Sequence, residues 1–221
     1  VLVNPNTSVT TTAMMTALAR RTLGPAVPVH GLTVARGPRM LTDPASLAAA
    51  APEVLATGRR ALATRDCAAL IVAAFGDPGI DELRALARVP VVGIGEAALL
   101  EASAGGRPFG IATTTPLLAG AIARRVAHLG LADRYTGLRL TDDDPELLAR
   151  DPESLRESLA RAVRDCVVRD GARAVVIGGG PLGEAAESLR ARFSTPVIAP
   201  IPAACRRLAD LGVTRVASTT P

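Results

Sequence analysis

The chain has no lysine: all 25 of its basic residues are arginine. That absence excludes two large groups of enzymes. Pyridoxal-phosphate enzymes hold their cofactor as a Schiff base on a lysine, and P-loop proteins reach phosphates with one. Chemistry at a carbon next to a carbonyl would have to run without pyridoxal phosphate, and no cofactor is expected. Aromatics are nearly missing, with no tryptophan, one tyrosine and three phenylalanines. Few rings are available to stack bases. The arginines are intermixed with 21 acidic residues, so the net charge of +4 reads as an arginine-rich surface and no nucleic-acid partner is expected.

Cysteine is scarce as well. Cys67, Cys166 and Cys205 are far apart and odd in number, which reads as free thiols in a reducing cytoplasm. They lack metal-ligand spacing, and His30 and His128 stand alone, so no zinc site is expected. No apolar run reaches the roughly 18 residues of a membrane span, and no membrane partner is expected. No basic-apolar-small signal segment stands at the start. The chain opens at Val1 inside strand-like sequence, so a short N-terminal piece is expected to precede it.

What is present is alternation of strand and helix. Apolar residues make up 48% of the chain, enough for a sizeable core. Strands are expected at 1–3, 27–34, 68–74, 90–94, 109–113, 135–140, 174–178 and 196–199. Helices are expected near 8–23, 45–64, 80–87, 96–104, 116–129, up to about 169, 183–192 and 203–211. The pattern predicts an α/β fold with parallel sheets. The charge-free run 68–74 suits a strand covered on both faces.

The chain also echoes itself about a hundred positions apart. Ala68–Ala74 breaks into Phe75-Gly76-Asp77-Pro78-Gly79, and Arg173–Ile177 breaks into Gly178-Gly179-Gly180-Pro181-Leu182-Gly183. Arg65-Asp66-Cys67 and Arg164-Asp165-Cys166 stand upstream of the two. Val1–Val3 runs into Asn4-Pro5-Asn6-Thr7-Ser8, and Phe109–Ala112 runs into Thr113-Thr114-Thr115. Two pseudo-symmetric lobes are expected, 1–95 plus about 201–221, and 96–200, with a cleft between them.

The loops after the strands are the candidate site, because open parallel sheets bind ligands at strand carboxyl ends. Asn4 and Asn6 are the only asparagines, and Asn supplies both donor and acceptor. Backbone N–H groups at Phe75–Gly76 and Gly179–Gly180, with the hydroxyls of Thr113, Thr114 and Thr115, could hold a developing oxyanion. Gly178, Gly180 and Gly183 have the bare dinucleotide spacing. The internal proline and the lack of an acid further on argue against that use. Glu96 follows a strand end and is the best-placed carboxylate; its alternative role is to favour a helix dipole. Asp77 is a second carboxylate, with helix capping as its alternative.

Taken together, Asn4–Ser8, Ala73–Gly79, Gly93–Ala97, Thr113–Thr115 and Ile177–Gly180 resemble the aspartate/glutamate/hydantoin racemase superfamily, in its hydantoin and allantoin racemase branch. The motifs fall in the family's order and span nearly the whole chain. The resemblance implies a homo-oligomer and cofactor-independent proton transfer at a carbon next to a carbonyl, with two facing cysteines as base and acid. Here those positions are Ala74 and Gly179, which cannot transfer protons as they stand. Glu96 and Asp77 are the remaining candidate proton carriers. Asn6, Thr7, Phe75, Gly76, Thr113, Thr114, Thr115, Gly180 and Pro181 are the expected substrate-binding residues. Three readings stay open: an engineered Ala74, a cysteine-free branch using another base, or a catalytically silent relative that binds a small metabolite. An engineered Ala74 leaves Gly179 unexplained, and the cysteine-free branch is carried forward.

Overall fold

The computed structural model describes residues 1–64, 66–142, 144–148 and 150–213. Arg65 of the upstream echo, Asp143, Ala149 and the tail 214–221 lie outside the described residues.

The first half runs β1 (Leu2–Asn4), α1 (Val9–Leu23), β2 (Gly31–Thr33), α2 (Pro44–Leu62), β3 (Leu70–Val72), α3 (Ile80–Leu86), β4 (Val91–Gly93) and α4 (Ile94–Ala102). The second runs β5 (Phe109–Thr113), α5 (Ala119–His128), β6 (Tyr135–Leu140), α6 (Pro145–Leu148), α7 (Pro152–Val168), β7 (Ala174–Ile177), α8 (Gly183–Arg190), β8 (Val197–Ile198) and α9 (Pro200–Asp210). Helix starts follow local chemistry. Ser8 accepts from the Thr11 amide at α1, Asp43 forms a capping box with Ser46 at α2, and Asp151 caps α7. Pro44 and Pro152 occupy first-turn positions, where a missing N–H is harmless.

Two four-stranded sheets result, ordered β2-β1-β3-β4 and β6-β5-β7-β8, and every pairing is parallel. The second order is the first shifted by four strands, so the sequence echo is an architectural repeat. In each sheet the first and third strands are central. Their carboxyl ends stand side by side: Asn4 beside Ala73 in one sheet, Thr113 beside Gly178 in the other. The amides of Ala73 and Gly178 donate to Val3 and Ala112.

One core runs from the first sheet through α1, α4 and α9 to the second sheet. Leu2, Met15, Ile94, Leu99, Phe109 and Ile201 in it are fully buried. Each stabilises the fold by about 1.5–3 kcal/mol relative to exposure. Separate cores lie under α2 and α3 on the first sheet, and under α7 and α8 on the second. The expected strand 27–34 shortens to Gly31–Thr33. It is an edge strand, and Pro28 has no N–H to donate to a ladder. No helix among the described residues is long and apolar enough to cross a membrane.

Candidate active site

A cleft of about 320 Å³ lies between the two pairs of central strand ends. Ala74 and Gly179 both line it, together with Asn6, Phe75, Gly76, Thr114, Thr115, Gly180 and Pro181. The corners approach closely. A Cβ added to Gly180 would sit 3.1 Å from the Ala73 carbonyl oxygen and 2.8 Å from Met15 Sδ. Glycine at 180 therefore lets the second corner rest on the first.

The asparagines divide their labour. Asn4 is fully buried; its Nδ2 donates to Asn6 Oδ1 (2.9 Å), Thr12 Oγ1 (2.9 Å) and the Ser8 carbonyl (3.1 Å). Asn6 Oδ1 also accepts from the Ser8 amide at 2.9 Å. A backbone N–H must meet an oxygen, so this bond fixes which way the Asn6 amide points. Its Nδ2 is then left without a partner among the described residues, in a side chain that lines the cleft. The amides of Phe75 and Gly76 make no hydrogen bond to described residues either. The Gly179 amide, by contrast, is occupied by the Ile177 carbonyl at 2.9 Å. Among the cleft-lining residues, the donors without a partner among the described residues thus include Asn6 Nδ2, the Phe75 and Gly76 amides, the Thr10 and Thr114 hydroxyls and the Arg39 guanidinium.

Thr113 and Thr7 do not line the cleft. Thr113 is fully buried and donates to the Gly178 carbonyl at 2.7 Å, which holds the second corner in place. Thr115 Oγ1 lies 3.2 Å from Thr113 Oγ1. Because the Thr113 proton goes to Gly178, Thr115 donates in that pair. The Thr7 amide donates to the Pro38 carbonyl (3.1 Å) and its hydroxyl to that of Gly37 (3.3 Å). Thr7 tethers the loop after β2.

That loop supplies lining residues that sequence reasoning missed: Arg39, Met40 and Leu41. Met14, Leu47, Leu118, Leu155 and Leu182 complete an apolar wall. The signal was available, because the loop follows the carboxyl end of a parallel strand as the other site loops do. Among the described residues Arg39 is the only charged side chain lining the cleft.

Both candidate proton carriers are held elsewhere. Asp77 is 3% exposed. Its carboxylate accepts from the amides of Gly95 (2.9 Å) and Glu96 (2.7 Å) and pairs with Arg125 of α5 at 3.2 Å. Burial pushes Asp77 up to about 6, against the pull of Arg125 and the two amides. Gly93 and Gly95 must lack a side chain here. A Cβ on Gly93 would strike the Asp77 carboxylate, and one on Gly95 the Phe75 carbonyl oxygen. Glu96 pairs with Arg84 (2.9 Å) and Arg125 (2.9 Å) and borders a separate hollow with Arg207. Burial raises Glu96, but its bonds to Arg84 and the charges of Arg84, Arg125 and Arg207 outweigh that and hold it below the usual range. The two carboxylates clasp the first corner to α4 and to the second half.

The thiols lie outside the cleft. Cys67, Cys166 and Cys205 are buried, and burial pushes Cys166 and Cys205 up to about 12, where they are inert. Among the described residues no group of three or more His, Cys, Asp or Glu gathers that could hold a metal.

The model of the family described as Asp/Glu/Hydantoin racemase matches residues 1–208. A hydantoin racemase of Paenarthrobacter aurescens is 28% identical over 205 residues, covering 93% of this chain and 87% of that protein. One of Rhizobium meliloti is 31% identical over 212 residues, covering 93% and 85%. The solved structure of an allantoin racemase from Klebsiella pneumoniae superposes with a TM-score of 0.89 at 28% identity, covering 99% of this chain and 89% of that one.

Proposed function

The chain belongs to the Asp/Glu/hydantoin racemase family, and from that premise we propose that it is a cofactor-independent racemase-like isomerase of a small carbonyl compound, a 5-substituted hydantoin, allantoin or a similar amide. The observation that carries this reading is one cleft lined by both Ala74 and Gly179 and by donors without partners. In a hydantoin ring the reacting C–H lies between a nitrogen and a carbonyl, so it is already acidic. Removing its proton puts negative charge on the carbonyl oxygen. Asn6 Nδ2, the Phe75 and Gly76 amides and the Thr114 hydroxyl are placed to receive it, and such a donor is typically worth about 10²–10³-fold in rate. The apolar wall packs against the ring.

The proton itself travels by solvent in this reading. No lining side chain among the described residues is a carboxylate, an imidazole or a thiol, and Asp77 and Glu96 are engaged with arginines. A positioned acid or base contributes about 10²–10⁴-fold, so turnover should be slow beside a relative that carries one. Solvent-borne transfer also predicts a rate that climbs with hydroxide concentration, with no plateau. The same absence favours a second reading, a silent relative that binds the metabolite without turnover.

The accompanying proposals are a cytoplasmic location, supported by three unpaired thiols, and a homo-oligomer, supported by the family resemblance. The lobes are divided as 1–95 plus about 201–221, and 96–200. The two sheets and the packing of α9 against α1 support that division.

The test is proton exchange. A panel of chiral hydantoins and allantoin is incubated in D₂O, and the α-hydrogen is followed by NMR. Exchange above buffer supports the isomerase. No exchange across the panel, with a ligand-induced rise in melting temperature, leaves the silent reading in its place.

A further inference from the structure

Arg39 is exposed and lines the cleft, and among the described residues it has no hydrogen-bond or ion-pair partner. The one carboxylate of its own loop, Asp43, caps α2. Nor is the loop bearing Arg39 a loose strand of surface. Two hydrogen bonds from Thr7 fasten Gly37 and Pro38 to the asparagine loop, next to Asn6 with its free amide. Met40 and Leu41 follow on the cleft wall. The cleft therefore presents one cation and several neutral donors beside apolar surface, and no described lining residue is a carboxylate.

We infer that Arg39 selects a ligand carrying a carboxylate, so that the substrate class is a hydantoin-like ring whose substituent bears an anionic group. This rests on the cleft being the substrate site. A neutral substituent would leave the guanidinium to water. A carboxylate can take a two-pronged, charge-assisted pair from it. The site is half open, so the preference falls between that of an exposed pair and a desolvated one, about tenfold in dissociation constant.

The experiment measures dissociation constants for hydantoin-5-acetate and its neutral carboxamide by titration calorimetry. The proteins are wild type, Arg39→Met and Arg39→Lys, at low and at about 0.15 M ionic strength. Expected is an approximately tenfold preference for the carboxylate in wild type, weaker at higher salt, partly kept by Arg39→Lys and reduced to near unity by Arg39→Met. Equal binding of the two compounds by wild type, or a preference that survives Arg39→Met, overturns the inference and leaves the cleft assignment standing. If neither compound binds, both fail together.

Discussion

Restoring thiols at the two corners is the perturbation with the largest expected effect. Ala74 is half-buried on the cleft wall, so Ala74→Cys adds one sulfur atom into open cleft. Gly179 has φ 176°, an extended backbone that any residue adopts. A Cβ there would stand 3.1 Å from Leu182 Cδ1 and Cγ, so Leu182 must give by a few tenths of an ångström. Leu182→Ala opens that space and belongs in the construction. A single positioned thiol at Ala74 serves one side of the ring, and should raise α-hydrogen exchange over the parent by about 10²-fold, the lower end for a general base. That exchange should run without racemisation. The Ala74→Cys, Gly179→Cys, Leu182→Ala protein serves both sides and should racemise. Its rate should level off near the ordinary thiol pKa of about 8.5, where the parent rate keeps climbing. The assay follows deuterium uptake by NMR and optical rotation by polarimetry. A triple variant that binds ligand as the parent does, yet gains neither exchange nor racemisation, refutes the placement of these residues on opposite sides of one substrate.

Asn6→Asp keeps an oxygen for the Ser8 amide and replaces the free donor with a second oxygen aimed at the cleft. Exchange should fall by at least tenfold with the melting temperature nearly unchanged, and an unaffected rate would remove Asn6 from the oxyanion site. Gly180→Ala presses a methyl against Met15 Sδ and the Ala73 carbonyl. Chemical denaturation should show a loss of about 1–3 kcal/mol, and full stability would mean the corners are not in contact. Asp77 gives a pH signature. Its folded pKa, pushed from 3.8 to about 6, lies above the unfolded one, so its contribution is fully present below about pH 4 and is lost as pH rises through about 6. About two pH units correspond to roughly 3 kcal/mol. Unfolding free energies of wild type relative to Asp77→Asn should drop by up to that amount between pH 4 and pH 7, and a flat or rising difference would contradict the buried position.

The strands and their order of appearance were legible because parallel strands covered on both faces are unbroken apolar runs. Leu70–Val72 and Ala174–Ile177 have no polar residue to confuse the reading. The repeat was legible for the same reason, since each run ends in its own glycine corner. Side-chain direction was not. A strand end says which rim of the sheet a residue occupies, but not which way it points. Thr113 and Asp77 sit at such ends, yet their side chains turn to Gly178 and to the start of α4. Glu96 was drawn away by Arg84 and Arg125, partners 12 and 29 residues distant that no local pattern joins to it. The apolar wall was hidden by its dispersal, with Leu47, Leu118, Leu155 and Leu182 reaching the cleft from four different elements.

The most direct measurement is of where a bound ligand lies. With the protein labelled at the Ala74 methyl and the Gly179 α-carbon, nuclear Overhauser effects are recorded from a 5-substituted hydantoin in slow or intermediate exchange. The account predicts effects from the same molecule to both labels. Effects to neither label, with perturbation instead around the Arg84, Glu96 and Arg207 hollow, would contradict it.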